Sequence, residues 1–105
     1  MATIDDFAKL EITLGEVKEA EYVPETDKLL RLIVDFGEEE PRQIVSGIRS
    51  RIESPEELIG KQFPFVTNLE PREIKGLTSQ GMILVPHEAG FLTPTENLAP
   101  GTRIG

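Results

Sequence analysis

The sequence has no cysteine, no tryptophan, one histidine and no long hydrophobic run. Without cysteine it can form no disulfide, no thiolate metal site and no cysteine nucleophile. Its longest apolar stretches, residues 29–34 and 82–85, are far shorter than the ~18 residues of a membrane-spanning helix. The N-terminus is acidic and lacks the apolar region of a signal peptide. We therefore expect a soluble, cytoplasmic protein that does not engage a membrane.

The residue types that most catalytic and metal sites require are also scarce. The single histidine, His87, lies in a stretch typical of a surface turn, so no histidine-based triad or metal cluster is expected. No glycine-rich phosphate-binding motif is present. The sequence accordingly predicts a protein that is not an enzyme and that binds no cofactor or metal.

Charge is unevenly distributed along the 105 residues, which carry a net charge of −8. Residues 1–41 contain 12 acidic and 4 basic side chains, whereas residues 42–105 contain 7 of each, so the whole excess lies in the first part. The basic residues after position 41 can therefore still form a positive face, and net charge alone does not exclude a nucleic-acid partner.

Alternating apolar residues and turn signals predict five strands. The first begins at Glu11, with a bulge expected at Gly15. Before it, a helical turn over Phe7–Leu10, capped by Asp5 or Asp6, is expected to plug the core. The Ser54-Pro55 pair, with Glu57 three positions after Ser54, predicts the start of a short helix. The other four strands are expected at Leu29–Phe36, Arg42–Val45, Gln62–Asn68 and Gly81–Pro86.

This order predicts an all-β fold, a five-stranded Greek-key barrel of the OB-fold type with a short helix between strands 3 and 4. Residues 1–105 form a single domain, with the barrel at roughly 7–87 and an irregular extension at 88–105. Pro94 and Pro100 exclude a long helix in the extension.

Three motifs carry a resemblance to a known family: Asp27-Lys28-Leu29, Gln43-Ile44-Val45-Ser46-Gly47-Ile48, and Asn68-Leu69-Glu70-Pro71-Arg72 followed by Gly76 and Ser79-Gln80-Gly81-Met82. In this order and spacing the chain resembles the tRNA-binding domain of methionyl-tRNA synthetases. That domain occurs at the C-terminus of the synthetase, as a beta subunit, and as a stand-alone structure-specific tRNA-binding protein.

The resemblance implies an OB-fold that binds tRNA by shape near its elbow, as a non-catalytic module that supplies tRNA affinity to a methionyl-tRNA synthetase catalytic chain or acts alone. Such binding needs groups that contact phosphates and 2′-hydroxyls. The residues expected to do so are Lys28, Arg42, Ser46, Arg49, Asn68, Arg72, Lys75, Ser79 and Met82. Glu70 and Glu73 depart from the more basic family pattern, and we expect them to weaken the positive field.

Family members are typically homodimers, and the apolar residues of the extension, Phe91, Leu92, Leu98 and Ile104, are expected to form the dimer interface. Two other functions remain open. One is a homodimeric protein-export chaperone of the CsaA kind, which binds unfolded polypeptide on the same fold. The other is a purely structural dimerisation domain. An apolar groove between subunits would favour the chaperone, and a positive stripe around Arg72 would favour tRNA.

Overall fold

Strands make up most of the regular structure in the computed structural model, which describes residues Met1 to Gly105. In chain order the elements are helix α1 (Ile4–Ala8), strands β1 (Ile12–Tyr22), β2 (Leu30–Asp35) and β3 (Arg42–Ser46), two 3₁₀ helices (Arg49–Arg51 and Pro55–Leu58), and strands β4 (Gln62–Val66), β5 (Arg72–Ile74), β6 (Leu77–Ser79), β7 (Met82–Ile83) and β8 (Arg103–Ile104).

β1 organises the main sheet, which has the strand order β3-β2-β1-β4-β7 with β8 also paired to β1. The first half of β1 pairs with β4, from Ile12 opposite Val66, and its second half pairs with β2, up to Tyr22 opposite Leu30. A long strand shared between two neighbours in this way curls the sheet into a nearly closed barrel. The predicted all-β, OB-fold-like barrel is thus confirmed.

Gly15 has a different role from the predicted one. The register of β1 against β2 shifts between Val17 and Glu19, so the bulge lies beyond the glycine. A Cβ at Gly15 would lie 2.5 Å from both Phe36 Cε1 and Val34 Cγ1. The glycine is required because β1 passes directly over core side chains at this point.

The core lies inside the barrel, and β2 shows how the sequence builds it. Leu30, Leu32 and Val34 are fully buried and alternate with half-buried residues, as the strand pattern predicted. Phe36 continues the same parity and meets the Phe65 ring edge-on, with centroids 5.1 Å apart.

The N-terminal helix differs from expectation. It begins at Ile4, and Thr3 rather than an aspartate is the N-cap, bonded reciprocally with Asp6 in a capping box. None of its residues is buried, so it does not plug the core. No helix of the chain has the length and apolar character needed to cross a membrane.

The predicted helix between strands 3 and 4 is present as two 3₁₀ segments. The second begins as expected, with Pro55 at its first position and the Glu57 carboxylate accepting a hydrogen bond from the Ser54 amide at 2.6 Å. Leu58 from this segment is buried in the core. The segment therefore closes one end of the barrel.

The region after β4 corrects two expectations. None of the five predicted strands falls within residues 69–80, but these residues contain the β5–β6 hairpin. The fifth barrel strand is only Met82–Ile83, shorter than the predicted Gly81–Pro86. The hairpin was missed because its strands are short and mostly polar, so they show too little alternation to be recognised. The fifth strand was extended too far because residues 82–85 are all apolar, although only Met82 and Ile83 pair with β4.

The C-terminal extension packs on its own barrel. Phe91 lies against Phe63, with ring centroids 5.0 Å apart. Gln62 bonds both the amide and the carbonyl of Leu98, and β8 pairs with the start of β1. The extension therefore completes the fold of a single chain.

Candidate functional site

A groove of about 370 Å³ lies beside β3, the β5–β6 hairpin and the start of β7. Its walls are mostly apolar, with Leu69 and Met82 39% and 45% exposed. Ser46, Arg72, Ser79 and Met82, all expected to contact tRNA, line it together. Residues of β3 and of the segment from Leu69 to Met82, which are far apart in the sequence, therefore meet at one surface.

A second depression adjoins this groove and brings in two more of the expected residues. Lys28 and Lys75 line it, and it shares Leu29 and Ile74 with the first groove. The segment before β2 and the tip of the hairpin thus extend the same surface. We call the two depressions together the hairpin groove.

The hairpin turn fixes the position of Lys75. Ile74 pairs with Leu77, so Lys75 and Gly76 form a two-residue turn. Their φ angles are 51° and 80°, as a type I′ turn requires at both central positions. Gly76 tolerates this conformation freely, and the turn places Lys75 at the exposed tip.

Three of the expected cations make neither an ion pair nor a side-chain hydrogen bond within the chain, whereas Arg49, which is also outside the ion pairs, makes a hydrogen bond. The five ion pairs involve other basic residues and leave out Lys28, Arg72 and Lys75. All three side chains are exposed. Their charges are therefore available to an anionic ligand such as a phosphate.

Arg42, by contrast, is engaged within the chain. Its guanidinium donates two hydrogen bonds to the Glu38 carboxylate, at 2.8 and 2.7 Å, and one to the Thr67 carbonyl oxygen at 2.7 Å. Hydrogen bonding to Arg42 lowers the pKa of Glu38, and the same bonds raise the pKa of Arg42. Arg42 thus ties the acidic β2–β3 loop to the end of β4.

Arg49 and Asn68 are also held by local contacts. Arg49 donates to the Thr26 carbonyl oxygen at 2.8 Å and lies 4.1 Å over the Tyr22 ring. Asn68 accepts from the Glu11 amide and donates to the Lys9 carbonyl oxygen, both at 2.7 Å. Asn68 therefore fastens the N-terminal segment to the barrel.

Ser79 closes the barrel where β3 has no neighbouring strand in the sheet. Its side chain is 4% exposed, and its hydroxyl oxygen accepts a hydrogen bond from the Val45 amide at 2.9 Å. Gln80 continues this arrangement, since its side chain accepts from the Gln43 amide at 2.9 Å and its own amide donates to the Gln43 carbonyl oxygen at 2.8 Å. These hydrogen bonds replace the backbone hydrogen bonds that a neighbouring strand would make with β3.

Gln43 and Gln80 were missed by the sequence reasoning. Gln43 also donates from its side chain to the Thr78 carbonyl oxygen at 2.9 Å, so it bonds to the hairpin as well. Their only sequence signal is their place inside the second and third motifs. Together with Ser79 they set the position of the hairpin against β3.

The two acidic residues of the hairpin region have different environments. Glu73 accepts a hydrogen bond from the Thr78 hydroxyl at 2.6 Å. Glu70 lines the hairpin groove beside Arg72 and belongs to none of the ion pairs. Glu70 therefore presents an unpaired carboxylate in the 370 Å³ depression, and Glu25 and Asp27, which also belong to no ion pair, line the second depression.

A separate apolar groove of about 330 Å³ lies on the surface formed by β1, β8 and the extension. Leu92, Leu98 and Ile104 line it, and Leu92 and Ile104 are 51% and 39% exposed. Phe91 is turned toward Phe63 and does not line the groove. Three of the four residues expected at a dimer interface thus share one surface.

Comparison with known proteins shows which proteins this chain resembles. A family model described as "Putative tRNA binding domain" matches residues 12–103. The chain is 48% identical over 103 residues to the methionine–tRNA ligase of Methanococcus aeolicus, a match that covers 96% of this chain and 15% of that protein. The chain therefore spans about 15% of the length of this relative.

The solved structures that resemble this chain over its whole length include two kinds of protein. A MetRS related protein from Pyrococcus horikoshii superposes with a TM-score of 0.89 and 40% identity, over 100% of this chain and 98% of the other. The chaperone CsaA from Bacillus anthracis gives a TM-score of 0.89 and 34% identity, over 100% and 99% of the two chains. The barrel and its extension are thus shared by both kinds of protein.

Proposed function

This chain belongs to the tRNA-binding domain family, and we propose that the hairpin groove is where it binds folded tRNA. The observation that carries the proposal is the set of three cations without ion-pair partners, Lys28, Arg72 and Lys75, around one continuous surface. Ser46 adds a neutral hydroxyl and Met82 an apolar surface. This combination suits phosphates, 2′-hydroxyls and sugars, the groups read in shape recognition of RNA.

The remaining expected residues support the surface in this proposal. Arg42, Arg49, Asn68 and Ser79 use their polar groups in bonds to other parts of the chain. We assign them to holding the loops and the hairpin that carry Lys28, Arg72 and Lys75. Their substitution should therefore reduce binding mainly through loss of structure.

The biological setting that we propose is methionyl-tRNA aminoacylation. The Methanococcus aeolicus relative carries a domain of this kind within a methionine–tRNA ligase. The chain would supply tRNA affinity to a catalytic body, in cis or in trans, and perform no catalytic step itself. Adding it to a ligase that lacks the domain should lower KM for tRNA and leave kcat unchanged.

Direct binding tests the function. The isolated chain is titrated with folded tRNA at low and at moderate salt, with heat-unfolded tRNA and an unfolded polypeptide as controls. Saturable binding that prefers folded tRNA and weakens with salt is expected. Polypeptide binding without tRNA binding would replace the proposal with a chaperone of the CsaA kind, for which the apolar groove is the specific structural support.

For the apolar groove itself we propose a second copy of the chain as occupant, which gives a homodimer. Half-exposed leucine and isoleucine side chains around one groove favour association over exposure to water. Sedimentation should give twice the chain mass of 11.7 kDa. Leu92→Glu should give the monomer, and Ile59→Glu, at a residue 46% exposed outside the groove, should not. A monomeric wild type would contradict the assignment.

A further inference from the structure

Glu70 is the one acidic residue that lines the 370 Å³ depression of the hairpin groove. It lies in the hairpin groove with Arg72, Ser46 and Met82 and pairs with no cation of the chain. A carboxylate near a polyanion is unfavourable unless it accepts hydrogen bonds from the ligand. The position of Glu70 therefore favours a ligand that offers hydrogen-bond donors as well as phosphates.

Among the nucleobases, guanine offers this combination best. Its Watson–Crick edge carries two neighbouring donors, N1–H and the 2-amino group, which match the two acceptor oxygens of one carboxylate. Adenine presents an acceptor, N1, at the corresponding position, and a carboxylate repels it. A base can reach such a carboxylate only if it is unpaired, as in the loops where proteins read RNA sequence.

The rest of the groove fits a base with its phosphate. Leu29, Leu69 and Met82 provide apolar surface for the faces of a flat ring, and Met82 adapts readily because its side chain is flexible. Arg72 follows Glu70 by two residues and lines the same groove, where its guanidinium can contact a phosphate. The phosphate of the ligand thus meets a hydrogen-bond donor, Arg72, and its base meets an acceptor, Glu70.

We propose that the hairpin groove holds an unpaired guanine of the bound RNA, with Glu70 accepting hydrogen bonds from its N1–H and 2-amino groups and Arg72 contacting a neighbouring phosphate. This rests on the proposed tRNA binding and adds to it a base preference. Glu70 is then a specificity-determining residue, and its carboxylate improves selection among bases at the expense of general attraction to RNA.

The test uses GMP and AMP as probes. Their binding to the wild type is followed by NMR through the methyl group of Met82. The wild type is expected to bind GMP about tenfold or more tightly than AMP, as a bidentate hydrogen-bonded pair discriminates between bases. Glu70→Gln should remove this preference while binding of AMP stays equal or becomes tighter, because a negative charge is lost.

Glu73→Gln is the matched control. It removes the same charge from the hairpin, but at a side chain that is bonded to Thr78 and does not line the groove, so the preference for GMP should persist. Equal binding of GMP and AMP, absence of any Met82 shift, or a preference that survives Glu70→Gln would overturn the inference. If folded tRNA still binds the wild type in such a case, only the guanine preference is rejected and the proposed tRNA binding is retained. If folded tRNA does not bind, both proposals are rejected.

Discussion

Replacing Ser79 with alanine tests whether a side chain in the third motif builds the barrel or contacts RNA. The Ser79 hydroxyl is buried and satisfies the Val45 amide at 2.9 Å. Alanine leaves this amide without a partner between β3 and β6. An unsatisfied buried donor costs about 1–3 kcal/mol.

The magnitude converts directly into a melting temperature. With an unfolding entropy of about 2.1 cal/mol/K per residue, a chain of 105 residues loses about 4–5 °C for each kcal/mol, so Ser79→Ala should lower Tm by about 5–14 °C. Differential scanning calorimetry or circular dichroism measures this shift. Ser46→Ala removes a hydroxyl with no protein partner and should change stability by less than about 0.5 kcal/mol.

The binding assay separates the two roles of Ser79. Well below Tm, Ser79→Ala should bind folded tRNA more tightly than Arg72→Ala does. A Tm within about 2 °C of the wild type, corresponding to less than about 0.5 kcal/mol, would refute the barrel-closing role. A full loss of tRNA affinity at unchanged Tm would assign Ser79 to RNA contact instead.

Two further predictions concern the barrel and its acidic loop. Gly15→Ala should lower the free energy of unfolding in urea by about 1–3 kcal/mol, because the added Cβ overlaps Val34 and Phe36. Gly47→Ala is the control, since a Cβ there meets only one backbone atom, at 4.0 Å. Equal effects of the two substitutions would contradict the packing argument. The pKa of Glu38 lies below its ordinary 4.5 because Arg42 donates hydrogen bonds to its carboxylate. The Glu38–Arg42 pair therefore stabilises the fold above pH 4.5, and this contribution is lost as the pH falls through the lowered pKa. Glu38→Gln should therefore flatten the fall of unfolding free energy as pH is lowered below about 4.5, and an unchanged profile would count against the pair.

The barrel could be predicted because its strands combine strong local patterns with a strong burial requirement. β2 alternates buried and half-buried residues without interruption, and the Ser54–Glu57 box marks a helix start by local chemistry alone. The β5–β6 hairpin lacks such a pattern. Its turn depends on Lys75 adopting a positive φ, which is unusual for a lysine.

The candidate site could be predicted as a set of residues but not as a division of roles. The motifs predicted these residues, and the structure brings Ser46, Arg72 and Met82 together at one surface. Whether a polar side chain is available to a ligand depends on partners far along the chain. Asn68 bonds Glu11, 57 residues away, and Ser79 bonds Val45, 34 residues away, and no local pattern reveals either contact.

The salt dependence of tRNA affinity for the wild type, Arg72→Ala and Lys61→Ala tests the central claim most directly. Lys61 is the matched control, since it is an exposed cation without an ion pair that lines a different depression. Arg72→Ala should weaken binding of folded tRNA and reduce the slope of log K against log salt by about 0.7–0.9, the value for one lost phosphate contact. Lys61→Ala should leave both unchanged. Equal affinity and slope for Arg72→Ala and the wild type would show that the hairpin groove is not where tRNA binds.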